Sequence, residues 1–276
     1  MRAAVSTPAR RDMSMGLRGD RVMTLAIIGG TGLTNLNGLE ITHREVVNTP
    51  YGEPSGPVIH GMLFGSEVMF LARHGYGHTI PPHGINYRAN IWALRELGVT
   101  KVLAVAAVGG ISREMVPGSL AIPDQIIDYT WGRPHTFYEG DLTHVTHIDF
   151  TYPYDDDMRN MLARAAKEGK LPVVPRGTYG ATQGPRLETA AEIRRMAKDG
   201  CDLVGMTGMP EATLARELDL QYATCAVIVN WGAGIDDGKI VTMETIDKNL
   251  RVGMEKVRDL LRRFIPLCYE SDAGTR

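Results

Sequence analysis

Two basic side chains follow an apolar run of the sequence and could hold an anion. Residues 68–72 have the composition of a buried strand, and Arg73 and His74 come directly after them. A guanidinium group offers a rigid fork of N–H donors, so Arg73 beside His74 suits a phosphate oxyanion held by two hydrogen bonds. The alternative is an ordinary surface pair, and these two residues alone do not decide between the two interpretations.

A glycine-rich turn is the second candidate for an anion site. Residues 29–32, Gly-Gly-Thr-Gly, end the apolar run 24–28. Glycines let the backbone approach an anion closely, and the Thr31 hydroxyl adds a donor. A dinucleotide fingerprint does not fit, because Asn35 stands where a third glycine should be and positions 49–51, Thr-Pro-Tyr, lack the expected acid. A simple tight turn after a strand remains the alternative.

These candidates share one position, the end of a predicted strand. Thr31, His74 with Arg73, the pair Ala106 and Ala107, and Asn230 each close an apolar run. In parallel sheets ligands gather at the carboxyl ends of the strands. We therefore expect the four strand ends to meet in one site.

Two further polar residues begin predicted helices. Glu188 precedes a helix from 189, and Thr207 precedes a helix from 211. Each has an ordinary explanation: a carboxylate favoured by the helix dipole for Glu188, and a helix N-cap for Thr207. Asn230 is likewise a common turn residue.

The elements that must position these residues alternate along the chain. We predict strands at 24–28, 68–72, 102–108, 173–179 and 222–229, and helices at 85–97, 156–168, 189–198, 211–218 and 243–264. The alternation predicts an α/β domain with a largely parallel sheet flanked by helices. No linker or internal repeat divides the chain, so we expect a single domain from 23 to 266 and a tail from 267 to 276.

Residues 1–22 are Arg-rich and lack the apolar segment of a secretory signal. We interpret them as a leader that is disordered or lies upstream of the true start, with a transit peptide as the alternative.

Composition excludes several functions. The formal charge of −2 argues against a basic nucleic-acid-binding face, and the apolar stretches are shorter than the roughly 20 residues that span a membrane. Cys201, Cys225 and Cys268 are odd in number and lack Cys-x-x-Cys spacing, which indicates neither a disulfide framework nor a zinc knuckle. We expect a protein of the cytoplasm.

Five segments together resemble the trimeric purine nucleoside phosphorylase family, and most closely its methylthioadenosine and methylthioinosine phosphorylase branch. They are residues 27–33 (IIGGTGL), 71–75 (LARHG), 86–94 (NYRANIWAL), 184–186 (GPR) and 206–211 (MTGMPE). The likeness runs from about residue 24 to 264. It implies a single-domain nucleoside-phosphorylase fold with a mixed central sheet flanked by helices, and a homotrimer. It also implies no metal and no cofactor, with inorganic phosphate as a co-substrate.

The resemblance assigns a role to each candidate. Phosphate would be held by Thr31, Arg73, His74, Thr207 and the backbone of Ala106 and Ala107. Met206 would lie under the ribose, Met243 beside the 5′ group, and the base would meet Leu187, Glu188, Asn230, Trp231 and Gly232. Asn230, His74 and Arg73 would be the catalytic residues. Ala106 departs from the hydroxyl residue of the animal methylthioadenosine enzymes, and Trp231 is unusual in the base loop.

The identity of the base follows from donors and acceptors. The amide of Asn230 can donate to O6 of a 6-oxopurine and accept from a protonated N7, while Glu188 can accept from N1–H. Adenine, with a donor at N6 and a bare N1, matches neither. With Met243 suited to a methylthio group, we expect phosphorolysis of S-methyl-5′-thioinosine.

Other functions stay open on the sequence alone. Two are variants of the same reaction, a methylthioadenosine phosphorylase and a general 6-oxopurine nucleoside phosphorylase. A hydrolytic nucleosidase would use water in place of phosphate, and a purine-binding regulatory protein would keep the pocket without turnover. Neither nucleic acid nor a membrane is an expected partner.

Overall fold

The computed structural model describes residues 24–33, 36, 38–140, 144–236 and 240–273. Within them lies one mixed sheet of eleven strands. The strands are β1 (Leu25–Gly29), β2 (Glu40–Glu45), β3 (Val58–Leu63), β4 (Ser66–Ala72), β5 (Lys101–Gly110), β6 (Leu120–Ala121), β7 (Gln125–Asp128), β8 (Val173–Val174), β9 (Thr178–Ala181), β10 (Leu203–Gly205) and β11 (Gln221–Trp231). The helices are α1 (Tyr87–Glu96), α2 (Asp156–Glu168), α3 (Ala190–Lys198), α4 (Gly208–Glu217) and α5 (Met243–Ala273).

The strand order confirms a mixed sheet. Its main path runs β2-β3-β4-β1-β5-β10-β9-β7, with β11 on β5, β6 on β11 and β8 on β6. β1 is parallel to β4 and β5, and β11 is parallel to β5. β10 is antiparallel to β5, and β2, β3 and β4 pair antiparallel with one another. The expectation of a largely parallel sheet therefore holds among β4, β1, β5 and β11, and it fails at the β2–β4 edge and for the pairs β10–β5 and β11–β6.

Two apolar clusters cover the two faces of the sheet. Alternate residues of β1 and β5 point to opposite faces, as the two-residue period of a strand requires. Leu25 and Leu103 pack with α2 and α5, whereas Ala26 and Val102 pack with α1 and α4. Because both faces are covered, the central strands are apolar throughout, which is why the sequence indicates them clearly.

The helix starts are fixed by side chains. Asn86 accepts from the N–H of Ala89 at the start of α1, and Asp155 accepts from that of Met158 at the start of α2. Thr189 and Glu192 form a reciprocal capping box at the start of α3.

Two predictions from the sequence need correction. The strand predicted at 173–179 is two strands, because Pro175 and its neighbours interrupt the ladder and β8 and β9 pair with different partners. The tail predicted from 267 continues α5 as far as Ala273. Leu267 and Cys268 are buried in the core, and this packing carries the helix past Pro266. The leader predicted at 1–22 lies outside the described residues.

Among the described helices, none is both long enough and apolar enough to cross a membrane.

Candidate active site

The sheet has a gap along one edge of its central strand. β1 pairs with β5 as far as Ala104, and β10 pairs with β5 from Gly109 onward, running in the opposite direction. β1 and β10 therefore point at each other along β5, and residues 105–108 of β5 have neither strand beside them. Strand pairing leaves this stretch open, so its backbone groups can serve a ligand.

A cavity of about 180 Å³ lies at this gap. Most of the residues singled out in the sequence line it, namely Thr31, Arg73, His74, Ala106, Ala107, Leu187, Glu188, Met206, Thr207, Asn230 and Gly232. The expectation that separate strand ends meet in one site is met by the geometry.

Backbone geometry indicates which groups face the gap. The carbonyl of Val105 accepts a hydrogen bond from Nη1 of Arg73 at 3.2 Å. Residues two apart in a strand direct their backbone groups to the same side, so the N–H of Ala107 also faces the gap. Gly30 makes this approach possible, because a Cβ there would stand 2.6 Å from the Val105 oxygen.

Arg73 is held by an acid that the sequence interpretation left without a role. Its Nε and Nη2 donate to the two carboxylate oxygens of Glu211 at 2.6 and 2.7 Å, and both side chains are 1% exposed. The side-on fork of the guanidinium is thus occupied. The side-on fork is therefore not available to phosphate, and the predicted two-bond contact stays a prediction for the other end of the guanidinium, where Nη1 and Nη2 each keep one N–H.

His74 is a neutral imidazole with a fixed tautomer. Its Nδ1 lies 2.8 Å from the carbonyl oxygen of Ile80, and a carbonyl can only accept, so Nδ1 carries the proton. Burial, and then the charge of Arg73, lowers the pKa of His74 to about 4. Nε2 is therefore an acceptor at neutral pH.

Two hydroxyl groups, those of Thr31 and Thr207, line the cavity together with Arg73 and His74. Oγ1 of Thr31 lies 3.1 Å from Nε2 of His78, a histidine that the sequence interpretation did not single out. Thr207 is buried and makes no side-chain cap to α4, so the N-cap explanation fails for it. Both hydroxyls belong to the wall of the cavity instead.

Asn230 is turned into the cavity by an irregularity in β11. Ile228 pairs with Val108 and Asn230 pairs with Gly109, so Val229 is an extra residue in the ladder. Such a bulge redirects the side chain that follows it. Nδ2 of Asn230 donates to the carbonyl of Trp231 at 2.7 Å, which orients the amide.

Glu188 lines the same cavity as Asn230, from the loop before α3. The Thr182 hydroxyl donates to Oε1 of Glu188 at 2.6 Å and orients the carboxylate at the cavity wall. The helix dipole does not explain Glu188, because Glu192 is the acid in the first turn of α3 and forms the capping box there.

Two predicted site residues do not line the cavity. Met243 begins α5 with its side chain 67% exposed, and Val241 and Ile246 contribute to the wall instead. Trp231 lies between Asn230 and Gly232, which line the cavity, and successive side chains of a strand point to opposite faces, so the side chain of Trp231 is directed away from the cavity. The described chain therefore does not place these two side chains in the cavity wall, and their predicted contacts with a substrate stay predictions.

A buried arginine that the sequence analysis did not single out, Arg133, joins two walls of the cavity. Arg133 donates to the carbonyls of Met206 and Met209 at 2.9 and 2.6 Å. It also donates to the carbonyls of Thr182 and Gln183 at 3.2 and 2.9 Å. The loop after β9 and the loop after β10 are therefore held at a fixed separation.

The cavity has two chemically different ends. Thr31, His74 and the N–H of Ala107 form an end with neutral donors and acceptors beside the partly neutralised Arg73, which suits a small oxyanion. Asn230 and Glu188 form an end with an amide and a carboxylate, which suits a flat, polar heterocycle. A cavity of this kind, at the strand ends of an α/β sheet and lined by a few polar groups, is a common position for the substrate site of an enzyme.

Comparison with known proteins gives the family. The model of the phosphorylase superfamily matches residues 24–266, and the chain belongs to this superfamily.

Individual relatives agree with this assignment. A probable S-methyl-5′-thioinosine phosphorylase from Pseudomonas syringae pv. tomato is 55% identical over 240 residues, covering 87% of this chain and 97% of the relative. A 6-oxopurine nucleoside phosphorylase from Pyrococcus furiosus is 49% identical over 248 residues, covering 88% and 92%. The solved structure of methylthioadenosine phosphorylase from Schistosoma mansoni in complex with adenine has a TM-score of 0.85 at 31% identity, covering 91% of this chain and 96% of that one.

Proposed function

We propose that this chain catalyses the phosphorolysis of S-methyl-5′-thioinosine to hypoxanthine and 5-methylthioribose 1-phosphate. The observation that carries the proposal is that Asn230 and Glu188 line the same cavity as the candidate phosphate residues. The relatives named for the same activity, such as the one from Pseudomonas syringae pv. tomato, support it.

Phosphate would be bound mainly by hydrogen bonds. Because Glu211 already balances the charge of Arg73, the oxyanion would depend on N–H and O–H donors such as Ala107, Thr31 and Thr207. The bare Nε2 of His74 would accept from the one hydroxyl of HPO₄²⁻. This contact would fix the orientation of the anion and leave its unprotonated oxygens for the donors and for attack.

The reaction itself would rest on electrostatics and positioning. Phosphate attacks C1′ as the bond to N9 breaks, so positive charge grows on the ribose and negative charge on the purine. A fixed anion beside C1′ stabilises the first charge and is also the nucleophile. Asn230 stabilises the second by donating to O6 and accepting from N7–H, and such a donor is worth a few kcal/mol in a transition state.

Base selectivity would come from the same pair. The second oxygen of Glu188 would accept from N1–H of a 6-oxopurine, whereas adenine presents a lone pair at N1. The 5′ side is apolar, with Val241, Ile246 and Pro82 in the wall, which supports a methylthio group over a hydroxyl.

The proposed enzyme is a homotrimer of the cytoplasm that uses phosphate as co-substrate and needs no metal or other cofactor for the reaction. These points follow from the family resemblance and the sequence. Sedimentation velocity of the purified chain tests the oligomeric state.

A second candidate is a general 6-oxopurine nucleoside phosphorylase, which the relative from Pyrococcus furiosus favours. The same amide and carboxylate would serve it. The two candidates differ only in the 5′ group, so kcat/KM for inosine against S-methyl-5′-thioinosine separates them.

The deciding experiment is a substrate panel with and without phosphate. We expect hypoxanthine release from S-methyl-5′-thioinosine to require phosphate and to yield the sugar 1-phosphate. Equal rates without phosphate, with free sugar as product, would mean a hydrolase. Binding of hypoxanthine without turnover would mean a regulatory protein, and a preference for methylthioadenosine would overturn the roles of Asn230 and Glu188 alone.

A further inference from the structure

Three side chains that bind metals well lie together on the hairpin of β2 and β3, outside the cavity. His43 and His60 are directly opposite each other in the strand register, and Glu45 follows two residues after His43 on the same face. Their nearest ligand atoms all lie within 4.8 Å of one another. Nε2 of His60 is 3.1 Å from Oε2 of Glu45, and Nε2 of His43 is 3.8 Å from the same oxygen.

His60 is buried, and one of its ring nitrogens, Nε2, lacks a hydrogen-bond partner within the described residues. Its side chain is only 10% exposed, and its Nε2 makes no well-formed hydrogen bond within the described residues, although Glu45 stands close by. A buried polar atom in this condition costs free energy unless a partner is supplied. The rings of His43 and His60 are stacked with their centroids 4.0 Å apart, so one ring must rotate before a single ion can lie in the plane of both.

A neighbouring hydroxyl group also leaves Nε2 of His43 available to a metal. Oγ1 of Thr42 lies 3.3 Å from Nδ1 of His43, a contact that would occupy that nitrogen and leave Nε2 for a ligand.

We propose that His43, Glu45 and His60 form a zinc site with two imidazole nitrogens and one carboxylate oxygen. Metal–ligand distances of about 2.0–2.1 Å in a tetrahedron place the ligand atoms roughly 3.4 Å apart. The Nε2 atoms of His60 and His43 already lie 3.1 and 3.8 Å from Oε2 of Glu45, so the main adjustment is rotation of the His43 ring out of the stack. The side chains of His43 and Glu45 are 57% and 44% exposed, so they have room to rotate.

The fourth position of the metal would face solvent and carry water. β2 is the last strand on its side of the described sheet, and most of its side chains are exposed. A metal bound by His43 and Glu45 on β2 and by His60 on β3 would tie this edge strand to its neighbour. The site thus has a structural role that is independent of the reaction in the cavity.

The test is calorimetric titration of the full chain with zinc sulfate, after chelator treatment and exchange into a buffer that does not bind metals. We expect one site per chain, and a rise in melting temperature with zinc. His43→Ala and Glu45→Gln, both on exposed side chains, should each weaken zinc binding by at least about tenfold. The matched control His147→Ala, at another exposed histidine, should bind as the wild type does.

Cobalt provides a second readout that does not depend on stability or turnover. We expect the visible absorption bands of tetrahedral Co²⁺ in the wild type and in His147→Ala, and their loss in His43→Ala. Failure of the wild type to bind zinc would overturn the proposal. If His43→Ala and Glu45→Gln both bind zinc with the affinity of the wild type, the proposal is also overturned, because the metal is then bound elsewhere.

Discussion

Arg73 and Glu211 form a buried ion pair with two short hydrogen bonds, Nε to Oε2 at 2.6 Å and Nη2 to Oε1 at 2.7 Å. The pair joins the end of β4 to α4, and Tyr222 donates a third bond to Glu211. Burial alone would lower the pKa of Arg73, but Glu211 raises it above its ordinary value, so the guanidinium stays charged. The cation nearest the anion end of the cavity is therefore also a structural link.

The first prediction concerns this pair. Arg73→Ala leaves a buried carboxylate without its partner and should lower the free energy of unfolding by about 3–5 kcal/mol. The double change Arg73→Met with Glu211→Met should cost clearly less, since no lone charge remains. Urea unfolding measures both. The exposed pair of Arg164 and Glu168 is the control, because Arg164→Ala should cost under about 1 kcal/mol. Equal losses for Arg73→Ala and Arg164→Ala would contradict the prediction.

The second prediction follows from the lowered pKa of His74. The unfolded chain binds a proton near the ordinary value of 6.5, whereas the folded chain binds it near 4. Between pH 6.5 and pH 4 the unfolded chain therefore binds more protons at this residue than the folded chain does. The free energy of unfolding should fall as the pH drops through this range, because protonation stabilises the unfolded chain. His74→Asn can keep a donor to Ile80 without titrating. When the pH is lowered from 6.5 toward 4, the free energy of unfolding should fall less in His74→Asn than in the wild type. Parallel curves for the two proteins would exclude the buried neutral imidazole.

The third prediction tests the base end of the cavity. Asn230→Asp should narrow or reverse the preference for S-methyl-5′-thioinosine over methylthioadenosine, because a mismatched buried contact costs roughly 1–3 kcal/mol, about 5- to 150-fold. Adding Glu188→Ser should extend the change by removing an acceptor opposite adenine N1.

The measurement for this prediction is kcat/KM for both nucleosides in the wild type, in Asn230→Asp, in Glu188→Ser and in the double variant. Asn160→Asp, an exposed asparagine on α2, gives the matched control and should leave the ratio unchanged. If Asn230→Asp lowers both values equally, Asn230 does not select the base.

The fourth prediction concerns Arg133, which holds two walls of the cavity by their carbonyl groups. A lysine has three donors in place of five and cannot span both loops. Arg133→Lys should therefore raise KM for the nucleoside more than KM for phosphate, because the nucleoside would contact both loops, through Glu188 and Met206, whereas phosphate would contact only one of them, through Thr207.

Arg159 is a suitable control for this change. It also donates to two backbone carbonyls, those of Pro123 and Pro175, but away from the cavity. Arg159→Lys should reduce stability without changing the ratio of the two KM values. Equal shifts of both KM values in Arg133→Lys would make Arg133 a purely structural residue.

The sequence predicts the centre of the fold well, because the strands buried on both faces are continuous apolar runs. β5 and β11 are indicated by their composition alone, and Thr31, His74 and Asn230 then meet because strand ends share an edge. β2 could not be predicted, since its side chains are mostly exposed and no apolar alternation marks it.

The parts of the site that escaped prediction depend on tertiary contacts. Glu211 lies in a segment used for the family resemblance, yet nothing in its spacing indicates that it faces Arg73 from 138 residues away in sequence. The bulge at Val229 and the donors of Arg133 likewise exist only once the loops are folded. The resemblance places Met243 beside the 5′ group, whereas in the described chain Val241 and Ile246 line that wall.

The gap between the facing ends of β1 and β10 also affects hydrogen–deuterium exchange. Amides of a central strand normally exchange only on global unfolding. The N–H of Ala107 faces the gap instead of a strand, so in the phosphate-free protein it should exchange far faster than neighbours such as Ala104 that pair on both sides. Bound phosphate would cover this amide. Ala107 thus offers a backbone reporter of anion occupancy in the middle of an otherwise protected core.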